Sequence, residues 1–368
     1  MKPQGVGDAV KNAIHSFGNA SRGLHHYSRL ASQEIDAARE NIAKLIGLKN
    51  PLNIAFTSSG TEALNLVIGG LINKNSSIVT THLEHNSVLR PLHLSGAEIL
   101  YLDCDTKGNV LTSSFDKIIK PNTKFLVCTH GSNVTGNIVD VKSLYKKCTD
   151  KGIIMILDIC QTFGNTIVDL DMADIFCFTG HKGLFSPQGV GGVITKINHD
   201  FKITKTGGAG YSSYEKLQPN TMPDVFEVGT LNAHSIAGLN EGLRFIEEVG
   251  LEEIIKKENL LLKTFYDGIK HLRAINIYGD FDENKNRLSI VSLNLNGFTA
   301  SELASKLAND YNIAVRASTH CAPLMHKFFK TDCVKNQGTV RFSFSYFNTT
   351  SEIEFAINAI KEIAKNAN

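Results

Sequence analysis

Between residues 53 and 240 the chain alternates short, unbroken apolar runs with stretches of helical period, and this rhythm constrains its fold more than any other feature. Runs of strand length occur at 53–57, 77–81, 97–102, 124–129, 153–158, 174–179 and 192–195, and helical patterning at 61–71, 86–93, 114–119 and 141–149 separates most of them. Strands that are apolar at every position, rather than at alternate ones, are buried on both faces. The pattern therefore predicts an α/β fold whose mostly parallel central sheet is covered by helices on both sides. Ligands bind such sheets beyond the carboxyl ends of the strands, so chemistry is expected where the apolar runs stop.

After a long helical segment at 236–272 the pattern changes to strands at 289–295, 313–316 and 338–345 and helices at 301–309 and 350–365. That order fits a smaller α+β domain. The expected division is a large domain over 15–245 and a small one over 246–368 together with 1–14. The polar stretch 211–222 reads as a long loop.

The 38 basic and 36 acidic residues nearly cancel, and no tract of five or more basic residues occurs, which argues against nucleic acid or an anionic membrane as partner. Apolar stretches such as 153–157 are too short to cross a bilayer, and the first eight residues lack an apolar signal core. Seven cysteines without Cys-x-x-Cys spacing read as reduced thiols, so a soluble, cytoplasmic protein is expected. Cys128, Cys160 and Cys177 lie in or beside apolar runs and read as small buried hydrophobes.

Asp158 closes one apolar run, and Lys182 follows the end of another in Phe178-Thr179-Gly180-His181-Lys182-Gly183. Pyridoxal 5'-phosphate (PLP) needs such a pair: a carboxylate keeps its ring nitrogen protonated, and a lysine holds its aldehyde as a Schiff base. The small and aromatic neighbours of Lys182 predict a partly desolvated amine. Ser59-Gly60-Thr61-Glu62 joins a strand to a helix, where backbone N–H groups and hydroxyls can face an anion; ordinary helix capping is the competing reading. Thr179 and His181 can donate to the same phosphate. His85, Asn133 and Gln161 each follow a different strand, which places three polar side chains around one crevice. Farther on, Arg316, His320 and Cys321 share a small-residue loop, and a nearby cation favours a nucleophilic thiolate. The spacing of His320, Cys321, His326 and Cys333 matches no zinc pattern, so no metal is expected. Arg341 stands on an apolar strand, where its guanidinium fork suits a substrate carboxylate. His25 completes the substrate-side candidates.

Taken in order, these motifs resemble the class V aminotransferase superfamily of fold-type I PLP enzymes, and within it the cysteine desulfurases. The resemblance runs from about residue 18 to 362. It implies phosphate binding by Gly60 and Thr61, ring stacking by His85, ring contacts by Asp158 and Gln161, and a Schiff base on Lys182. Phe226-Glu227-Val228-Gly229-Thr230 resembles a motif whose threonine reaches the phosphate of a neighbouring subunit, which implies a homodimer with shared sites. The block around His320-Cys321-Ala322 resembles the desulfurases with a short cysteine loop. The implied activity takes L-cysteine to L-alanine, leaving a persulfide on Cys321 for a protein or thiol acceptor. Selenocysteine lyase, and a non-catalytic scaffold or sensor on the same fold, are the alternatives. Two departures stand out: Ser318 replaces a common glycine, and Met1-Lys2-Pro3 begins where a Leu-Asp-x-Ala-Ala strand usually precedes.

Overall fold

The computed structural model describes residues 1–20, 23–197, 199–208, 210, 214–334 and 336–365. Helices α1 (Gln4–Ser16) and α2 (His26–Ile46) come first, then β1 (Ile54–Thr57), α3 (Gly60–Leu71), β2 (Ser77–Thr80), α4 (Asn86–Leu94) and β3 (Glu98–Tyr101). The short α5 (Phe115–Ile118) leads to β4 (Thr123–Thr129), α6 (Val141–Asp150), β5 (Ile154–Asp158), β6 (Ile175–Thr179) and β7 (Gly191–Thr195). Among the described residues these strands form one seven-stranded sheet in the order β1-β7-β6-β5-β4-β2-β3.

The predicted mostly parallel sheet is present: β2, β3, β4, β5 and β6 pair in parallel, and β7 alone runs against its neighbours. No helix lies between β6 and β7, so the chain returns as a hairpin, which only an antiparallel pair permits. Alternate residues of each strand feed different cores. On β4, Leu126 and Cys128 join α2 and α6 on one face, while Phe125 and Val127 meet α3 and α4 on the other. This two-sided burial explains the unbroken apolar runs.

The second half comprises α7 (Ala233–Val249), α8 (Leu251–Ile269), β8 (Ile275–Tyr278), β9 (Ile290–Leu295), α9 (Ala300–Tyr311), β10 (Arg316–Ser318), α10 (Pro323–Phe328), β11 (Thr339–Ser343) and α11 (Thr350–Lys365). The segment expected as one helix over 236–272 is two, because Gly250 adopts φ +86° between α7 and α8. Strands β10-β11-β9-β8 form an antiparallel sheet with its own apolar core. Helix α1 packs on α7. The loop expected at 211–222 is irregular from 214 to 222; residues 211–213 lie outside the described residues. Among the described residues no helix is long and apolar enough to cross a membrane.

Candidate active site

A cavity of about 230 Å³ opens at the carboxyl ends of β1, β2, β4, β5 and β6. Gly60, Thr61, His85, Asn133, Asp158, Gln161, Thr179, His181, Lys182 and Arg316 all line it, so ten residues scattered over the sequence meet in one cleft.

One wall is the start of α3. Ser59 caps this helix, its hydroxyl accepting from the Glu62 N–H at 3.2 Å, while the Glu62 carboxylate accepts from the Ser58 N–H at 2.6 Å. The capping reading of this segment is therefore correct for Ser59 and Glu62. It leaves Gly60 and Thr61 facing the cleft at a helix end, where backbone N–H groups lack intrahelical acceptors. A Cβ at Gly60 would stand 2.3 Å from Cys160 Sγ, so a side chain there must displace that thiol. Ser87, missed from sequence, bridges Thr61 and His85: its hydroxyl is 2.8 Å from Thr61 Oγ1 and 2.8 Å from His85 Nδ1.

His85 is the N-cap of α4, its Nδ1 accepting from the Ser87 N–H at 3.1 Å. That bond leaves the proton of a neutral ring on Nε2. Burial, with the positive charges of Lys182, Arg316 and Arg90 behind it, moves the ring below the usual histidine range, while Asp158 opposes this. The ring is thus neutral at physiological pH.

Asp158 ends β5 and is buried, with Oδ1 accepting from the Cys160 N–H at 2.8 Å. Two residues past the end of β6, His181 Nδ1 lies 3.0 Å from Thr179 Oγ1. The partly desolvated environment expected for Lys182 is not found. Its side chain is exposed, because the apolar residues that follow, Leu184 and Phe185, turn inward and leave the amine in open space. There it lines both the cleft and a second cavity, shared through Gln161 and His181 and bounded by Arg341, Glu258 and Lys2. Lys2 Nζ donates to the His181 carbonyl at 2.7 Å, another contact sequence reading missed.

Cys321 lies where the smaller sheet meets the cleft. Its carbonyl accepts from the Asn86 N–H at 2.7 Å, beside His85, and its sulfur is 3.9 Å from Arg316 Nη2. Asn133 Nδ2 donates to the His320 carbonyl at 2.7 Å, and Arg341 Nη1 to the Asn133 carbonyl at 2.9 Å. The cysteine loop is therefore pinned to the larger sheet at consecutive carbonyls. Arg316 and Arg341 are directly opposed on β10 and β11. Like charges so placed repel, and an anion between them relieves the cost. Burial, then the charge of Arg316, lowers Arg341 to about 10.

Two candidates lie elsewhere. Thr230 is exposed and lines a separate cavity with Ser58, Glu62 and Lys205. The buried Glu227 holds its loop, accepting from the Phe56 N–H at 2.6 Å and from Arg39 Nη2 at 2.6 Å. His25 is exposed and caps α2, with its ring on Ser28.

A buried carboxylate, a lysine three residues beyond a strand end, a histidine at a helix cap and a helix N-terminus that begins at a glycine in the cleft together form a donor set that fits PLP. The class is thus an α/β enzyme of the fold-type I PLP kind. The chain belongs to the class-V aminotransferase family, whose model (Aminotransferase class-V) matches residues 1–355. It is 33% identical to a probable cysteine desulfurase of Pyrococcus abyssi, covering 94% of this chain and 87% of the relative. A probable cysteine desulfurase of Mycolicibacterium paratuberculosis is 30% identical over 99% of this chain, which spans 54% of that longer protein. The apo structure of the cysteine desulfurase from Thermococcus onnurineus NA1 superposes with a TM-score of 0.92 at 32% identity, covering 100% of this chain and 92% of that one.

Proposed function

We propose that this chain is a PLP-dependent cysteine desulfurase that converts L-cysteine to L-alanine and leaves a persulfide on Cys321. The observation that carries the reading is the placement of Cys321: a thiol beside a guanidinium, with its carbonyl bonded next to His85 at the edge of the cleft that holds Lys182 and Asp158. Transamination has no use for such a thiol.

PLP, when bound, supplies an electron sink conjugated to the substrate Cα. Gly60, Thr61, Thr179 and His181 would hold its phosphate, Asp158 would keep its ring nitrogen protonated, Gln161 would bind its phenolic oxygen, and His85 would lie against its ring. Lys182, exposed in the cleft, would hold its aldehyde, and its amine is the base placed to take the Cα proton of L-cysteine. Arg341 and Arg316 receive the substrate carboxylate between their opposed guanidiniums, assisted by Asn133. The Cys321 thiolate then attacks the substrate sulfur: the new S–S bond forms as the substrate C–S bond breaks, and its electron pair stays with the carbon fragment. Protonation of that fragment yields alanine, and the persulfide passes to a protein or thiol acceptor. Thr230, exposed and outside the cleft of its own chain, serves the phosphate of a partner subunit in a homodimer. His25 stays at the cap of α2 and has no step in this scheme. The large domain over 15–245 carries the cofactor site and receives α1 on α7, and the small one over 246–368 carries the cysteine. The enzyme works in the cytoplasm.

Cys321→Ala, assayed for alanine release from L-cysteine with PLP bound, is expected to lose at least about a hundredfold in kcat. Release of alanine at the unsubstituted rate would overturn the assignment of the thiol.

A further inference from the structure

Glu84 stands between Leu83 and His85 in the turn from β2 to α4 and is fully buried. Its Oε1 accepts from the Thr81 hydroxyl at 2.6 Å and from the Thr129 N–H at 3.0 Å, and Thr129 is the register partner of Asp158 across β4 and β5. Glu84 thus ties the turn that carries His85 to the strand beside Asp158. Among the described residues its Oε2 is buried without a hydrogen-bond partner.

Among the described residues, the titratable groups whose charge acts on Glu84 include no cation. They are Asp158 from β5, Cys128 from β4, Tyr101 from β3 and Cys104 just beyond it, each acidic or neutral. A buried carboxylate without a cation, beside a second carboxylate, keeps its proton, and of the two only Asp158 lines the cleft.

We propose that Glu84 is a positioning residue that works as a neutral carboxylic acid, bracing the His85 turn against β4 and leaving the negative charge of the site to Asp158. This inference rests on the reading of Asp158 as the partner of the PLP ring nitrogen. Burial first, and then the charge of Asp158, raise Glu84 to about 8 against its hydrogen bonds. Ionisation above that pH leaves a buried, unpaired anion at the brace, beside Asp158, and loosens the turn that carries His85. The sign of the stability effect follows. Glu84 stays protonated when folded and ionises near 4.5 when unfolded, so its contribution is complete below about 4.5 and drains away as pH rises to about 8.

The test compares the full chain with E84Q and E84A. Glutamine keeps an acceptor for Thr81 and Thr129 and cannot ionise. PLP affinity of the unsubstituted protein is expected to fall about tenfold relative to that of E84Q between pH of roughly 7 and 9, and that of E84A to be weak throughout. The thermal midpoint without PLP should fall with rising pH relative to E84Q. Infrared spectra with labelled glutamate should show a protonated carboxyl at neutral pH that disappears in E84Q. Parallel pH curves for the two proteins, or absence of that band, would overturn the proposal. If E84Q does not fold, the pH dependence of the band decides: a component lost near 8, apart from the Glu258 carboxyl at about 7, supports the proposal, and its absence overturns it. None of these readouts uses L-cysteine, so they fail or succeed independently of the desulfurase reading.

Discussion

At Ser318, His320 and Cys321 the backbone takes φ of +109°, +49° and +59°, a cluster of left-handed residues with no glycine among them. L-residues adopt that region at a cost of about 1–2 kcal/mol each. Gly338 faces Ser318 so closely that a Cβ there would stand 2.3 Å from the Ser318 carbonyl. Ser318→Gly should therefore raise stability by about 1 kcal/mol, read as a higher denaturant midpoint at unchanged slope. Gly338→Ala should lower it by more than about 1 kcal/mol in the same measurement. The strain is held by the clamps on this loop: Asn133 on the His320 carbonyl, Asn86 on that of Cys321, and His320 Nε2 on the Thr339 carbonyl at 3.0 Å. Sequence marked Ser318 as unusual because glycine is common there. It did not reveal that two further residues share the conformation, since left-handed backbone leaves no trace in residue type when it is imposed by distant contacts.

At the scale of elements, the contacts that position the site are buried polar bonds between segments far apart in sequence. Arg39 of α2 and Glu227 form a buried ion pair, and Glu227 also takes the N–H of Phe56 on β1. Removing one partner strands the other charge, so Arg39→Ala should destabilise by about 3–5 kcal/mol in denaturant unfolding. Because Glu227 holds the loop that carries Thr230, the same variant should weaken PLP binding if that loop serves a partner subunit. The segment around α10 contains a second device. His320 and His326 are buried and lowered by that burial to about 3 and about 4, respectively. Each is neutral when folded and would gain a proton near 6.5 when unfolded, so this contribution is present above about 6.5 and lost as pH falls towards 4. The thermal midpoint should drop across that acid range, and His326→Gln should flatten part of the drop.

For the whole molecule, the sheet was legible because its chemistry is repetitive. Two-sided burial demands unbroken apolar runs, and the helices between β2 and β4 and between β4 and β5 favour parallel pairing. The reversed β7 and the break at Gly250 were not legible, since a hairpin return and a single positive φ interrupt no hydrophobic pattern. Residues at strand ends, such as Asp158 and Asn133, could be placed in the cleft from that regularity alone. Ser87, Lys2 and Glu84 could not: their roles come from contacts whose partners the sequence does not name. The environment of Lys182 was misjudged for a related reason. Apolar neighbours in sequence became its floor rather than its cover, and the amine stands open between two cavities.

The central claim joins two halves of the molecule, a PLP site on the large sheet and a thiol supplied by the small one. It is tested most directly by mixing the PLP-loaded protein with L-cysteine in the absence of an acceptor and measuring, in one sample, alanine released and sulfur added to Cys321 by peptide mass spectrometry. The account predicts one alanine for each sulfur on Cys321 in the first turnover, and neither product in Cys321→Ala. Alanine formed with Cys321 unmodified, or alanine formed at the same rate by Cys321→Ala, would contradict it.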